Sequence, residues 1–146
     1  LDANASAGET VIDYGCGSGI LAIAACKLGA SRVYAVDIDP QALIATRDNA
    51  ARNAVEQCID VMLPDALDSE PVDVVMANIL ANPLIELSGT LAGYLRVKGS
   101  IILTGILEDQ GREVMAAYQQ WFDFKAPVQR DEWLLLEGVK RAGGKE

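Results

Sequence analysis

The segment VIDYGCGSG, Val11–Gly19, narrows what this chain can fold into more than any other. A β-rich run passes directly into Gly15, Gly17 and Gly19. An apolar stretch at helical spacing follows, with Ile20, Leu21, Ile23, Ala24 and Leu28 on one face. A strand that turns straight into a helix needs glycine for positive φ and for close approach of the backbone to a ligand. In an open α/β sheet that turn lies at the carboxyl end of its strand, where such sheets bind ligands.

The rest of the chain keeps the same rhythm. Gly29 is expected to close the first helix. Arg32–Ile38 reads as a second strand, and Asp39 with Pro40 behind it caps a helix reaching about Asn53. Cys58–Leu63 is a third, shorter strand. Val72–Asn78 is apolar nearly throughout, as a strand buried on both faces requires. A helix is expected from Pro83 to about Arg96, a turn at Lys98 and Gly99, a strand over Ser100–Ile106 and a helix from Glu108 to about Trp121. Two strands close the chain, roughly Phe124–Arg130 and Glu132–Lys140. No helix lies between them, so a hairpin joins them and the sheet gains an antiparallel edge pair. The alternation predicts an α/β fold with a mostly parallel sheet and helices on both faces. The tail RAGGKE is expected to fray.

Two common ligands of glycine loops fit poorly. The dinucleotide fingerprint G-x-G-x-x-G/A, started at Gly15, meets Ile20 at its sixth position, and no G-K-[ST] follows for a phosphate loop. The observed pattern is D-x-G-x-G-x-G, beginning at Asp13. Asp37 ends the second strand, where an acid accepts hydrogen bonds from both ribose hydroxyls and repels a 2′-phosphate. Ile38 beside it is placed to lie against an adenine face.

Composition removes further chemistry. The 146 residues suit one domain, and no apolar run approaches the roughly 18 residues that span a bilayer. The start, LDANASAGET, has no basic segment followed by an apolar one, so no signal peptide is expected. It begins abruptly and reads as the tail of something longer. There is no histidine, which rules out Ser–His–Asp and Cys–His catalysis and disfavours zinc. Twelve basic against 21 acidic residues leave a net charge of −9, which disfavours nucleic acid and attracts a basic partner. Cys16, Cys26 and Cys58 show no C-x-x-C spacing and read as small buried apolar residues of a protein in a reducing cytosol.

D-x-G-x-G-x-G with the second-strand acid resembles the class I S-adenosyl-L-methionine-dependent methyltransferases. The resemblance implies a seven-stranded sheet in the order 3-2-1-4-5-7-6, which agrees with the closing hairpin. It implies that Gly15 and Gly17 cradle the methionine end of the cofactor and that Asp13 lies near its amino group. Asp65, after the third strand, matches an acid near the adenine amino group, although LPDAL is a loose match. Asn78 matches the position facing the transferred methyl. Amine-methylating members often carry [DN]-P-P-[YF] there, whereas here Ile79 and Leu80 follow.

Read together, GCGSGILAIAACKLGA, AVDIDPQALIATRDNAARN, ANILANPL, TGILEDQ and DEWLLLEGVKR resemble the bacterial ribosomal-protein methyltransferase family PrmA. That resemblance covers about Glu9 to Arg141. It implies methylation of lysine ε-amines and an N-terminal α-amine of large-subunit ribosomal protein eleven, in the cytoplasm. It also implies that residues 1–146 form the catalytic domain and that a separate N-terminal domain, absent from this chain, grips the substrate. A lysine amine, with a reference pKa of about 10.4, must lose its proton before attack. Without histidine, catalysis would rest on proximity, orientation and desolvation, the proton leaving through water. Tyr14 is expected to pack and Glu108 to start a helix. A class I methyltransferase of another substrate, a non-catalytic cofactor-binding domain and, less well, a nicotinamide oxidoreductase stand as alternatives.

Overall fold

Five adjacent parallel strands run in from one edge of the sheet in the computed structural model, which describes residues 8–142. They are β1 (Thr10–Tyr14), β2 (Arg32–Val36), β3 (Ile59–Met62), β4 (Val72–Asn78) and β5 (Leu95–Leu107). Antiparallel β8 (Trp133–Lys140) lies along β5, and the short β6 (Phe122–Phe124) and β7 (Val128–Arg130) both pair with β8. The order is β3-β2-β1-β4-β5-β8-β6, with β7 beside β8. Taken as two halves of one interrupted edge, β6 and β7 reproduce the expected order. The interruption spans Lys125 to Pro127, and proline has no N–H to donate to a ladder.

Period-two alternation sends the central strands' side chains to two cores. Val11, Val74 and Met76 pack with Ala22 and Ala25 of α1 (Ile20–Lys27) and with Leu43 and Ala50 of α2 (Pro40–Arg52). Ile12, Tyr14, Val75 and Ala77 face the other way. They meet Leu84 of α3 (Ala81–Glu86), Leu91 of α4 (Ser88–Tyr94), and Val114 and Tyr118 of α5 (Gly111–Tyr118). The buried Tyr118 hydroxyl donates to the Leu84 carbonyl at 2.7 Å, so its polar end is satisfied inside the core.

The helix caps follow their residues. The Asp39 side chain accepts from the Gln41 N–H at 2.9 Å, and Pro40 opens α2. After α1 the Gly29 N–H donates to Cys26 and the Ala30 N–H to Ala25, a paired closure that uses the positive φ of Gly29.

Further expectations change. The helix foreseen from Pro83 to Arg96 is two short helices broken at Leu87, and β5 begins early, at Leu95. The expected turn survives inside β5: Lys98 takes φ 71°, and the β4–β5 register shifts between Val72 and Val74. A Cβ on Gly99 would come within 3.0 Å of the Asp73 carbonyl oxygen. The stretch from Glu108 starts as a 3-10 turn (Glu108–Gln110) and its helix ends at Tyr118. The cysteines are not three free apolar residues. Cys26 and Cys58 form a disulfide between the end of α1 and the start of β3, leaving Cys16 buried and free. Their Cα atoms lie 6.2 Å apart, within bridging range, which a separation of 32 residues conceals in the sequence. The bridge also removes the support that free cysteines lent to a reducing compartment.

Leu1–Ala7 and residues 143–146 of the tail, on which two of the expectations fall, lie outside the described residues. Among the described residues no helix is long and apolar enough to cross a membrane.

Candidate active site

The three glycines of the loop after β1 have different jobs. A Cβ on Gly15 would collide with Ile79 Cγ2, so this glycine lets the loop press against the segment after β4. A Cβ on Gly19 would meet Thr46 Cγ2 at 2.8 Å, so it permits close packing on α2. A Cβ on Gly17 would meet nothing within 4 Å, because this glycine faces open space. All three have positive φ.

That open space is a cleft of about 620 Å³ at the carboxyl ends of β1, β2 and β4. Gly15, Gly17, Asp37, Ile38 and Asn78 line it, together with Tyr14 and the Ile79–Leu87 side of α3. Five sequence-predicted site residues therefore converge on one cavity. Asp37 is tied to the loop: its Oδ2 accepts from the Gly17 N–H at 3.0 Å and its Oδ1 from the Asp39 N–H at 3.0 Å. A carboxylate offers about four lone-pair sites, so acceptor capacity remains for a ligand hydroxyl. Ile38 is 79% exposed, an apolar face turned to the cleft.

Asp13 does not line the cleft. It is 1% exposed beneath the loop, and neither of its carboxylate oxygens has a hydrogen-bond partner. Burial pushes its carboxyl up to about 7, the Ala22 amide at the start of α1 offsets this in part, and the Asp37 charge adds to the rise. An orphaned buried carboxylate is costly and is relieved by a cation brought to it. Asp65 is also outside the cleft lining, exposed on a 3-10 turn (Pro64–Ala66). Its charge still reaches Tyr14, whose phenol is held above its ordinary range first by burial, then by Tyr94 and Asp65.

Reading the sequence missed the rear support of the loop. Thr46 Oγ1 donates to the Gly17 carbonyl at 3.0 Å, and Asn49 Nδ2 donates to the Ser18 carbonyl at 2.9 Å. The available signal was two polar residues three apart on α2, a spacing that puts both on one helix face. Cys16 Sγ lies 3.4 Å from the Thr46 hydroxyl, and burial pushes its thiol up to about 11, so it stays protonated and inert. Leu80 and Pro83, within the ANILANPL segment, also form cleft walls, as do Glu86 and Leu87, which lie beyond any quoted segment.

Asn78 borders a second cavity as well. A groove of about 550 Å³ runs from Asn78 past Thr104 and Gly105 of β5 to Val128, Arg130 and Trp133 of the β7–β8 hairpin. Gly105 makes room for Asn78: a Cβ there would lie 2.7 Å from Asn78 Oδ1. The exposed amide thus stands where the cleft and the groove meet.

The sheet order, the glycine loop and the strand-end acid define a class I methyltransferase fold. The family model described as "Ribosomal protein L11 methyltransferase (PrmA)" matches residues 1–141, and the chain belongs to that family. A ribosomal protein L11 methyltransferase of Thiobacillus denitrificans is 57% identical over 97% of this chain and 47% of its own length. The chain spans about half the length of the curated relatives it matches. The crystal structure of a ribosomal protein L11 methylase from Lactobacillus delbrueckii subsp. bulgaricus superposes with a TM-score of 0.82. It is 34% identical, and the match covers 91% of this chain and 70% of that one. A Streptococcus mutans protein solved in complex with SAH shares the fold at a TM-score of 0.70 and 18% identity, over 92% and 89% of the two chains.

Proposed function

We propose that this chain is the catalytic domain that transfers methyl groups from S-adenosyl-L-methionine to amines of ribosomal protein L11, releasing S-adenosyl-L-homocysteine. The observation that carries the reading is the position of Asn78 between the glycine-loop cleft and the groove. A group-transfer site needs a donor pocket and an acceptor pocket side by side, and a residue that lines both supports that reading.

The residues present fit the cofactor. Asp37 takes the ribose hydroxyls and Ile38 the adenine face. Gly15 and Gly17 leave room for the methionine end. Asp13, unpartnered beneath the loop, attracts the amino group, whose positive charge relieves the buried carboxylate. Asp65 serves the adenine amino group from the rim. Bound in this cleft, the cofactor supplies an electrophilic methyl carbon. Asn78 Oδ1 accepts a hydrogen bond from the acceptor amine and aims its lone pair; alignment of this kind lowers the barrier without a general base.

The acceptor is a basic protein rather than nucleic acid, in keeping with the net charge of −9. A ribosomal protein acceptor places the work in the cytoplasm. Gripping of that protein belongs to a separate N-terminal domain, with residues 1–146 forming the catalytic one.

The test is radiolabelled methyl transfer to purified ribosomal protein L11, paired with calorimetry for S-adenosyl-L-homocysteine. Asn78→Ala is expected to lower turnover by about 10²-fold, with cofactor affinity little changed. Full turnover in the variant would remove Asn78 from the reaction. Failure of the unmutated protein to bind S-adenosyl-L-homocysteine would remove the cofactor assignment.

A further inference from the structure

The geometry points to Arg130 as the residue that makes the groove admit the acceptor amine in its neutral form. This rests on the reading that an amine is the acceptor. The problem it answers is the proton: a lysine ammonium has no lone pair to offer, and the chain has no histidine to take its proton.

The groove lining is unusual for a site that receives a cation. Asn78, Thr104, Gly105, Val128, Trp133, Leu134 and Leu135 are all uncharged, and the one charged side chain in the wall is Arg130. Strand alternation explains its placement. Val128 and Arg130 face the groove, while Gln129 between them faces a separate depression with Glu108 and Arg112. Among the described residues Arg130 makes no ion pair. Its charged neighbours on the hairpin are Asp131 and Glu132, exposed at the turn and outside the groove lining. Within the lining nothing neutralises the guanidinium.

Two effects then act on an amine in this groove, and both have the same sign. Val128 and Trp133 are exposed in the free chain, so desolvation begins when the acceptor covers them and Leu135; it disfavours the ammonium, and so does the like charge of Arg130. The ammonium releases its proton to water on entering. The neutral nitrogen forms the new N–C bond as the methyl carbon–sulfur bond breaks, and the sulfur keeps the electron pair. The methylated nitrogen returns to water as a secondary ammonium, so one proton is released per methyl transferred. A cationic neighbour that lowers an amine's proton affinity is an established way of activating lysine. Here the device would sit in the enzyme and act on the substrate.

The test separates this from a merely structural role. The pH dependence of kcat reports groups in the bound complex, whereas that of kcat/KM reports the free species. With ribosomal protein L11 as acceptor, Arg130→Gln is expected to move the kcat midpoint up by about half a unit or more, leaving the kcat/KM midpoint in place. Arg130→Lys, which keeps the charge, should restore it. An independent measurement is calorimetry of L11 binding to the S-adenosyl-L-homocysteine-loaded protein at pH 8, in phosphate and in Tris. Neutral-form binding releases protons, and Arg130→Gln should reduce that release. A raised KM with both midpoints unmoved would make Arg130 a clamp for a substrate carboxylate and overturn the inference. Identical profiles and proton release in wild type and Arg130→Gln would overturn it too. All of these measurements use the protein joined to its N-terminal domain; absence of L11 methylation there, with L11 and S-adenosyl-L-homocysteine both bound, would overturn the amine reading beneath it, whatever Arg130 does.

Discussion

Asp13 is the residue whose chemistry departs furthest from its type. Its ordinary carboxyl value is 3.8, and burial in the folded chain lifts this to about 7. Between roughly pH 4 and pH 7 the native state therefore holds more proton than the unfolded state, and stability falls as pH rises through that window. The contribution is full below about pH 4 and lost above about pH 7, with an upper bound of about 4 kcal/mol. Urea unfolding of the ligand-free protein at pH 5 and pH 8 should show this loss, and Asp13→Asn should abolish it. A pH-independent difference between the two proteins would remove Asp13 as the cause. Saturating S-adenosyl-L-homocysteine should restore most of the wild-type loss at pH 8, because the ligand's ammonium compensates the charge. Asp37, Gly15, Gly17 and Asn78 were legible because each sits at the carboxyl end of a strand, where type and position coincide. Thr46, Asn49 and the α3 wall were not. Their work depends on which helix faces the loop, and that is a tertiary fact.

At the level of elements, the strands were easier to read than the helices that follow them. β1 and β4 have the expected bounds because most of their residues are apolar and buried. The helix after β4 broke because Leu87 adopts ψ 5° between two turns too short to show a periodic face. The last strands were placed correctly in order but as one piece too few, since Pro127 cannot join a ladder. The link between α1 and β3 through Cys26 and Cys58 belongs to this scale, and no spacing rule finds it. Such a bridge constrains mainly the unfolded chain and is typically worth about 2–4 kcal/mol. Unfolding in urea with and without a phosphine reductant is expected to show a difference of that size. Equal midpoints, with two additional free thiols counted in untreated protein, would mean that the bridge does not persist in solution.

For the whole molecule, net charge governs encounter more than fold. A net charge of −9 favours long-range attraction of basic partners over phosphate backbones. The association rate with ribosomal protein L11, followed by stopped flow, should fall by about tenfold or more between 50 mM and 500 mM salt, with dissociation changed far less. A salt-independent association rate would show that the acidic surface takes no part.

The bridge from Asp37 to the Gly17 N–H has a consequence for timing. The same loop is held by the Gly15 and Cys16 N–H groups on the Val36 carbonyl and by Thr46 and Asn49 from behind. A segment latched at five points before any ligand arrives has little conformational search left to make. That side of the cleft behaves as a fixed jaw. A ligand arriving on this side meets a surface already formed, so its binding orders little backbone there.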